Sequence, residues 1–204
     1  MVVEDWRQAA LGAHGIQAPW RGETWGRPSA EDVTVVEDAG HRALRMRSAG
    51  DRVTLSIDLD HRVDLARTPI LEWSWKVTVL PRGGDARDKT RADQAAQIYV
   101  VWPRAPAFLR SRIIGYAWDT TAPAGAIVPS RKTRTVTYVI VRSGPADLGR
   151  WLTERRDVAE DFRRIYGEPP EAPGVLSLSI DSNDTRSSAE SFIGPLQFQA
   201  RERR

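Results

Sequence analysis

The chain has 204 residues, 41% apolar and 28% charged, with no Cys. These are ordinary globular proportions, so they exclude intrinsic disorder; the lack of a run of about 18 apolar residues excludes a helical membrane span, and the lack of Cys excludes disulfides and thiolate chemistry. The net charge of +3, from 30 basic against 27 acidic residues spread along the chain, is too thin a field for nucleic-acid binding, and the basic tail Arg201-Glu202-Arg203-Arg204 reads as a solvated terminus.

A length near 200 residues fits one all-β domain, here 1–204. The start, Met1-Val-Val-Glu-Asp-Trp6, has no basic segment followed by an apolar run, so no export signal is expected and the cytoplasm is the default address. Residues 1–30, rich in Gly, Pro and Trp, lack a period and read as an irregular segment laid over the core, anchored by Trp6, Trp20 and Trp25. Runs of strand type, each bounded by turn residues, then follow at 32–37, 42–48, 51–59, 69–80, 94–102, 112–119, 134–142, 174–181 and 191–199. The expected architecture is an antiparallel β-sandwich of the jelly-roll or lectin type. One segment departs from it: Thr153 to Tyr166, TERRDVAEDFRRIY, places Val158, Phe162, Ile165 and Tyr166 at helical spacing, opens on a Thr cap and stops at Gly167, which predicts one amphipathic helix over 153–166.

Alternation within the strands carries the functional signal, because successive side chains point to opposite faces. Glu72 and Lys76 oppose Trp73, Trp75 and Val77; Gln97 and Tyr99 oppose Ile98, Val100 and Trp102; Ser177, Ser179 and Asp181 oppose Leu176, Leu178 and Ile180; Thr135 and Thr137 oppose Val136, Tyr138 and Ile140. If these strands share a sheet, one face gathers an acid, an ammonium, an amide and a phenol, a mixture suited to a hydroxyl-rich ligand. The expected function is therefore binding of a saccharide or other polar small molecule, with Gln97, Thr137, Ser179 and Asp181 as ligands and Trp118 stacking on a sugar ring. All but three of the basic residues are Arg, so a Lys at position 76 invites a specific role. The alternative is a jelly-roll enzyme, lyase- or hydrolase-like, in which Lys76 or Tyr99 transfers a proton with Glu72 or Asp181 as partner and Gln97 as orienting donor; an interaction domain without a small-molecule site is the third class. A Lys76→Met change would then leave stability nearly intact.

Other signals are weaker. Gly83-Gly-Asp-Ala-Arg-Asp88-Lys89-Thr90 falls short of a phosphate-binding loop because Asp88 replaces its second Gly. His14, His41 and His61 are isolated, so no zinc site is expected. Asp181, Asn183 and Asp184 at a strand end, and Asp85, Asp88 and Asp93 in a Gly-rich loop, are the candidate oxygen ligands for calcium; no other cofactor is expected. Oligomeric state is not legible.

The motifs Trp73-Ser-Trp75-Lys76, Asp93-Gln-Ala-Ala-Gln97-Ile-Tyr99-Val, Tyr116-Ala-Trp118, Ser143-Gly144 before Trp151, Arg155-Arg-Asp-Val158, Asp161-Phe-Arg-Arg-Ile-Tyr-Gly167 and Asp181-Ser-Asn-Asp-Thr185 occur in this order. From about residue 70 to the C-terminus the chain resembles the bacterial family called domain of unknown function 3047. The resemblance implies a β-sandwich with one helix and exported relatives, and it brings no activity. Asp157 stands where that family usually has Asn, and Ala92 where a second acid often precedes Asp93.

Overall fold

A computed structural model describes residues 1–202; Arg203 and Arg204 of the basic tail lie outside the described residues. Two sheets face each other. The first runs β11 (Leu152–Asp157), β6 (Ile70–Val79), β13 (Ser188–Gln199), β4 (His41–Ala49), β3 (Val33–Asp38), with β1 (Val2–Glu4) paired to β13. The second runs β2 (Arg21–Trp25), β5 (Arg52–Asp58), β12 (Val175–Asp181), β7 (Ala96–Trp102), β8 (Arg112–Asp119), β10 (Val136–Ser143), β9 (Ile127–Pro129). All nine predicted strands are present. The ladders are antiparallel except one: β10 lies parallel to β8, because the chain between them loops out through β9 before returning.

The apolar positions of the alternation meet between the sheets. Trp73, Trp75 and Val77 of β6 pack against Ile98, Val100 and Trp102 of β7, Tyr116 and Trp118 of β8 and Leu176, Leu178 and Ile180 of β12, all nearly inaccessible to water. Trp75 and Trp118 meet across the gap at 5.8 Å between ring centroids. Burial of this much aromatic surface, about 25 cal/mol per Å² removed from water, is the main stabilising term.

Two local expectations are corrected. Residues 1–30 carry strands β1 and β2; Trp6 and Trp20 are buried and stacked at 5.6 Å, but Trp25 is 54% exposed on the edge strand β2 and anchors nothing. The helix, α2 (Val158–Tyr166), starts five residues later than 153; α1 (Ala107–Arg110) is a single turn in the β7–β8 connection. Leu152–Asp157 pairs with β6 instead, and the cap is the Asp157 carboxylate, which accepts the Glu160 amide at 2.9 Å. Gly167 closes α2 at φ 73°, a left-handed conformation that favours glycine. Val158, Ala159 and Phe162 seat the helix on the core, Phe162 against Trp102 at 4.5 Å.

Candidate functional site

The outer face of the second sheet is concave and polar. Arg52, Thr54 and Ser56 on β5, Ser177, Ser179 and Asp181 on β12, and Gln97 and Tyr99 on β7 share that face because their odd or even neighbours are the core residues. They line a cleft of about 270 Å³ together with Glu23, Ile113, Lys132, Tyr138 and Asn183.

Hydroxyls pair across β5 and β12: Thr54 and Ser179 at 2.8 Å, Ser56 and Ser177 at 2.8 Å. Ser179 donates to the Val53 carbonyl at 3.2 Å, so in the first pair the proton comes from Thr54, and the Thr54 oxygen keeps lone pairs for an incoming donor. Gln97 Nε2 donates to Gln94 Oε1 at 3.0 Å and to Asp181 Oδ1 at 2.8 Å. Its Oε1 accepts the Tyr99 hydroxyl, which lies 3.3 Å from the Tyr138 hydroxyl. The two phenol rings cross over β8 at Gly115, where a Cβ would stand 2.7 Å from Tyr99 and 3.0 Å from Tyr138; only glycine leaves room for that pair.

Electrostatics set the protonation states. Burial, reinforced by Asp93 and Asp184, pushes the Asp181 carboxyl up to about 8, against the opposing pull of the Gln94 amide and Arg52. At neutral pH Asp181 is therefore a carboxylic acid, with Oδ1 accepting from the Gln94 amide at 2.7 Å and from Gln97. Burial likewise holds the Tyr99 phenol well above its ordinary range and pushes Tyr138 up to about 12, so both are neutral donors.

Several sequence-predicted residues lie elsewhere. Lys76 and Glu72 are on β6, in the first sheet, and face away from Gln97 and Tyr99 with both sheets between them. Alternation reports the face of a strand, not the sheet it joins, and both sheets have a polar outer side. Lys76 Nζ contacts Asp38 Oδ2 at 2.5 Å and lies 4.2 Å from the Phe192 ring centroid; Asp38 also accepts the Trp151 indole N–H at 2.7 Å. Glu72 accepts from Gln197 at 2.8 Å and Gln199 at 2.7 Å on β13. The proposed proton-transfer group made of Lys76, Tyr99 and Glu72 is thus not assembled. Trp118 points into the core and donates to the Gly144 carbonyl at 3.1 Å, so it presents no stacking face. Thr137 faces inward on the side of Val139, and Val136 and Tyr138 face the cleft: the expected parity of β10 is reversed.

The acidic loops are internally engaged. Asp184 accepts the Ala92 amide at 3.1 Å and the Lys132 ammonium, and Asn183 donates to it at 3.1 Å. Asp93 accepts the amides of Asp184 and Thr185, and Asp85 is paired with Arg87 at 2.7 Å. Asp181, Asn183 and Asp184 therefore do not converge as an oxygen cage, and no cluster of three metal-binding side chains occurs among the described residues.

Among the residues that join Gln97, Tyr99, Ser179 and Asp181 at the cleft are Glu23, Arg52, Thr54, Ser56, Ser177, Lys132 and Tyr138. The alternation of Arg52, Thr54 and Ser56 with Val53, Leu55 and Ile57 was a legible signal; the convergence of Lys132 from the β9–β10 connection was not.

A family model described as a protein of unknown function (DUF3047) matches residues 18–197. No curated protein matches the sequence. Among solved structures, the family 11 carbohydrate-binding module of the cellulosomal cellulase Lic26A-Cel5E of Clostridium thermocellum is 8% identical, with 100% of this chain and 96% of that one covered at a TM-score of 0.49. The mannan-recognising module TmCBM27 is 11% identical over 99% and 98% at 0.43, and the family 11 xylanase of Neocallimastix patriciarum 9% identical over 94% and 98% at 0.45.

Proposed function

The chain belongs to the DUF3047 family, and from the geometry of its cleft we propose that it binds a saccharide on the outer face of the second sheet. The observation that carries this reading is the convergence, in one cleft of about 270 Å³, of the Thr54–Ser179 and Ser56–Ser177 hydroxyl pairs with the Gln97 amide, the Asp181 carboxylic acid and the Tyr99–Tyr138 phenols. The cleft lies just below the usual range of ligand pockets, about 300–1,000 Å³. Its donors and acceptors are short, strand-borne and held in mutual hydrogen bonds, so they present fixed positions to a ligand whose hydroxyls both donate and accept. Trp25 stands at the rim, paired across strands with Arg52 and half-exposed, where a sugar ring can stack on its face.

Calorimetric titration with a panel of oligosaccharides, on the parent chain and Thr54→Val, tests this. Valine keeps the branched strand side chain and removes the hydroxyl. Loss of one net hydrogen bond, about 1 kcal/mol, should weaken binding roughly threefold to tenfold with the melting temperature little changed. A panel that yields no binding to the parent at millimolar concentration contradicts the reading.

A further inference from the structure

Resting on that saccharide reading, we infer that the cleft takes the terminal unit of a glycan chain and is roofed by the β9–β10 connection, which Lys132 latches to Asp184. Chain topology gives the first reason. Val136, where β10 begins, pairs with Ile113, Ile113 with Val101 and Val101 with Val175, so all four mark one end of the second sheet. Asp181 ends β12 at the other end, about 20 Å along the strand, and β10 lies three places from β12 in the sheet order, about 14 Å across. Yet the ammonium of Lys132, just ahead of Val136, meets the carboxylate of Asp184, just after Asp181. Ser130, Lys132 and Thr133 line the cleft with the outward residues, so this contact is made above the outer face and not through the core. The connection 130–135 therefore arches diagonally over β8 and β7.

Exposure is the second reason. The outward residues of an uncovered sheet are wet. Here exposure falls along the sheet order: Glu23 and Trp25 on β2 and Arg52 on β5 are exposed, and Thr54 and Ser56 are half-buried. Ser177, Ser179 and Gln97 are only 6%, 3% and 1% exposed, and Tyr138 is 8% exposed. The cleft is thus entered from β2 and is deepest at Gln97 and Tyr138, on the side of the arch. A chain threaded through it would need a second exit where the arch lies; a chain end needs none. The cleft's 270 Å³ falls below the usual space for a whole ligand, about 300–1,000 Å³, and suits one terminal unit with the rest of the chain leaving past Thr54 and Trp25. A terminal unit also carries a hydroxyl that an internal unit has lost to its glycosidic bond, and the Gln97 amide and Tyr99–Tyr138 phenols stand where the chain would stop. The Lys132 side chain is partly exposed; ion pairs of that kind are weak, so the arch opens readily to admit the ligand.

The test is calorimetry with cellohexaose, mannohexaose and xylohexaose, each in three forms: native, 4-O-methylated on the non-reducing unit, and borohydride-reduced so that the reducing ring is open. For a hexamer that binds, one modification should weaken binding about tenfold or more, by leaving buried polar groups unanswered, and the other less than about twofold. Equal responses to the two modifications overturn end recognition and leave saccharide binding standing. Binding of none of the native hexamers overturns both. The arch is tested without ligand, by hydroxyl-radical footprinting read by mass spectrometry. Lys132→Met should raise oxidation of Tyr99 and Tyr138 about threefold, the open population gained when a weak ion pair is lost, with Tyr116 in the core unchanged. An unchanged footprint, or a rise shared equally by Tyr116, overturns the latch.

Discussion

Asp181 concentrates the chemistry of the cleft in one titratable group. Its carboxyl is raised to about 8 from an ordinary value of about 3.9, with the Gln94 amide, Gln97 and Arg52 favouring ionisation and burial, Asp93 and Asp184 opposing it. The sign of its effect on stability follows. Between about pH 4 and 8 the unfolded chain has released this proton while the folded chain retains it, so the unfolded state binds fewer protons and stability falls as pH rises through that window. Asn is neutral and nearly the same shape, and it escapes the penalty. The melting temperature of Asp181→Asn minus that of the parent should therefore grow from pH 5 to about pH 8 and level off above it in thermal scans; a difference that stays flat from pH 5 to pH 8 contradicts the buried, protonated carboxyl. That Asp181 faces outward was legible from its alternation with Ile180. Its protonation was not, because the main cause is burial, which only the packing of the sheet and of the loop carrying Asp93 and Gln94 creates.

At the scale of elements, the strands were largely readable and their partners were not. In β5, β7 and β12 the positions that face the core are apolar and most that face out are polar, so these strands could be assigned inside and outside from sequence alone. β6 obeys the same rule and yet joins the other sheet, since β13 from the far end of the chain pairs with it. The same long-range pairing explains Lys76. Its ammonium ties β6 to Asp38 at the end of β3, above Phe192 of β13 and beside Trp151 ahead of β11, so a compact cation sits between one acid and two rings. Lys76→Met, expected from sequence to be nearly neutral, should instead destabilise the fold by about 1–3 kcal/mol, because it leaves Asp38 half-buried with the Trp151 N–H alone and removes the contact with Phe192. Urea unfolding checks this: the midpoint should fall with an unchanged slope, and an unmoved midpoint would sink the clamp. The short β1, β2, β9 and β11 escaped the sequence reading because their pattern is too brief, and in β11 helical spacing downstream of Asp157 masked the pairing with β6.

Across the whole molecule, the aromatic core between the sheets leaves two polar outer faces with different character. On the face of the first sheet Lys76 is answered by Asp38 and Glu72 by Gln197, Gln199 and Arg155. The face of the second sheet gathers paired hydroxyls, an amide, a carboxylic acid and two phenols around a cleft. Sequence reasoning merged these faces into one site; the fold separates them by the thickness of the sandwich, about 10 Å between sheets. Saccharide binding on the second face is therefore tested most directly by amide NMR during titration with whichever oligosaccharide binds most tightly in calorimetry. The account predicts shifts at Thr54, Gln97, Tyr138, Ser177 and Ser179, with Glu72 and Lys76 unmoved. Shifts centred on Glu72 and Lys76, with the cleft residues unmoved, would contradict it.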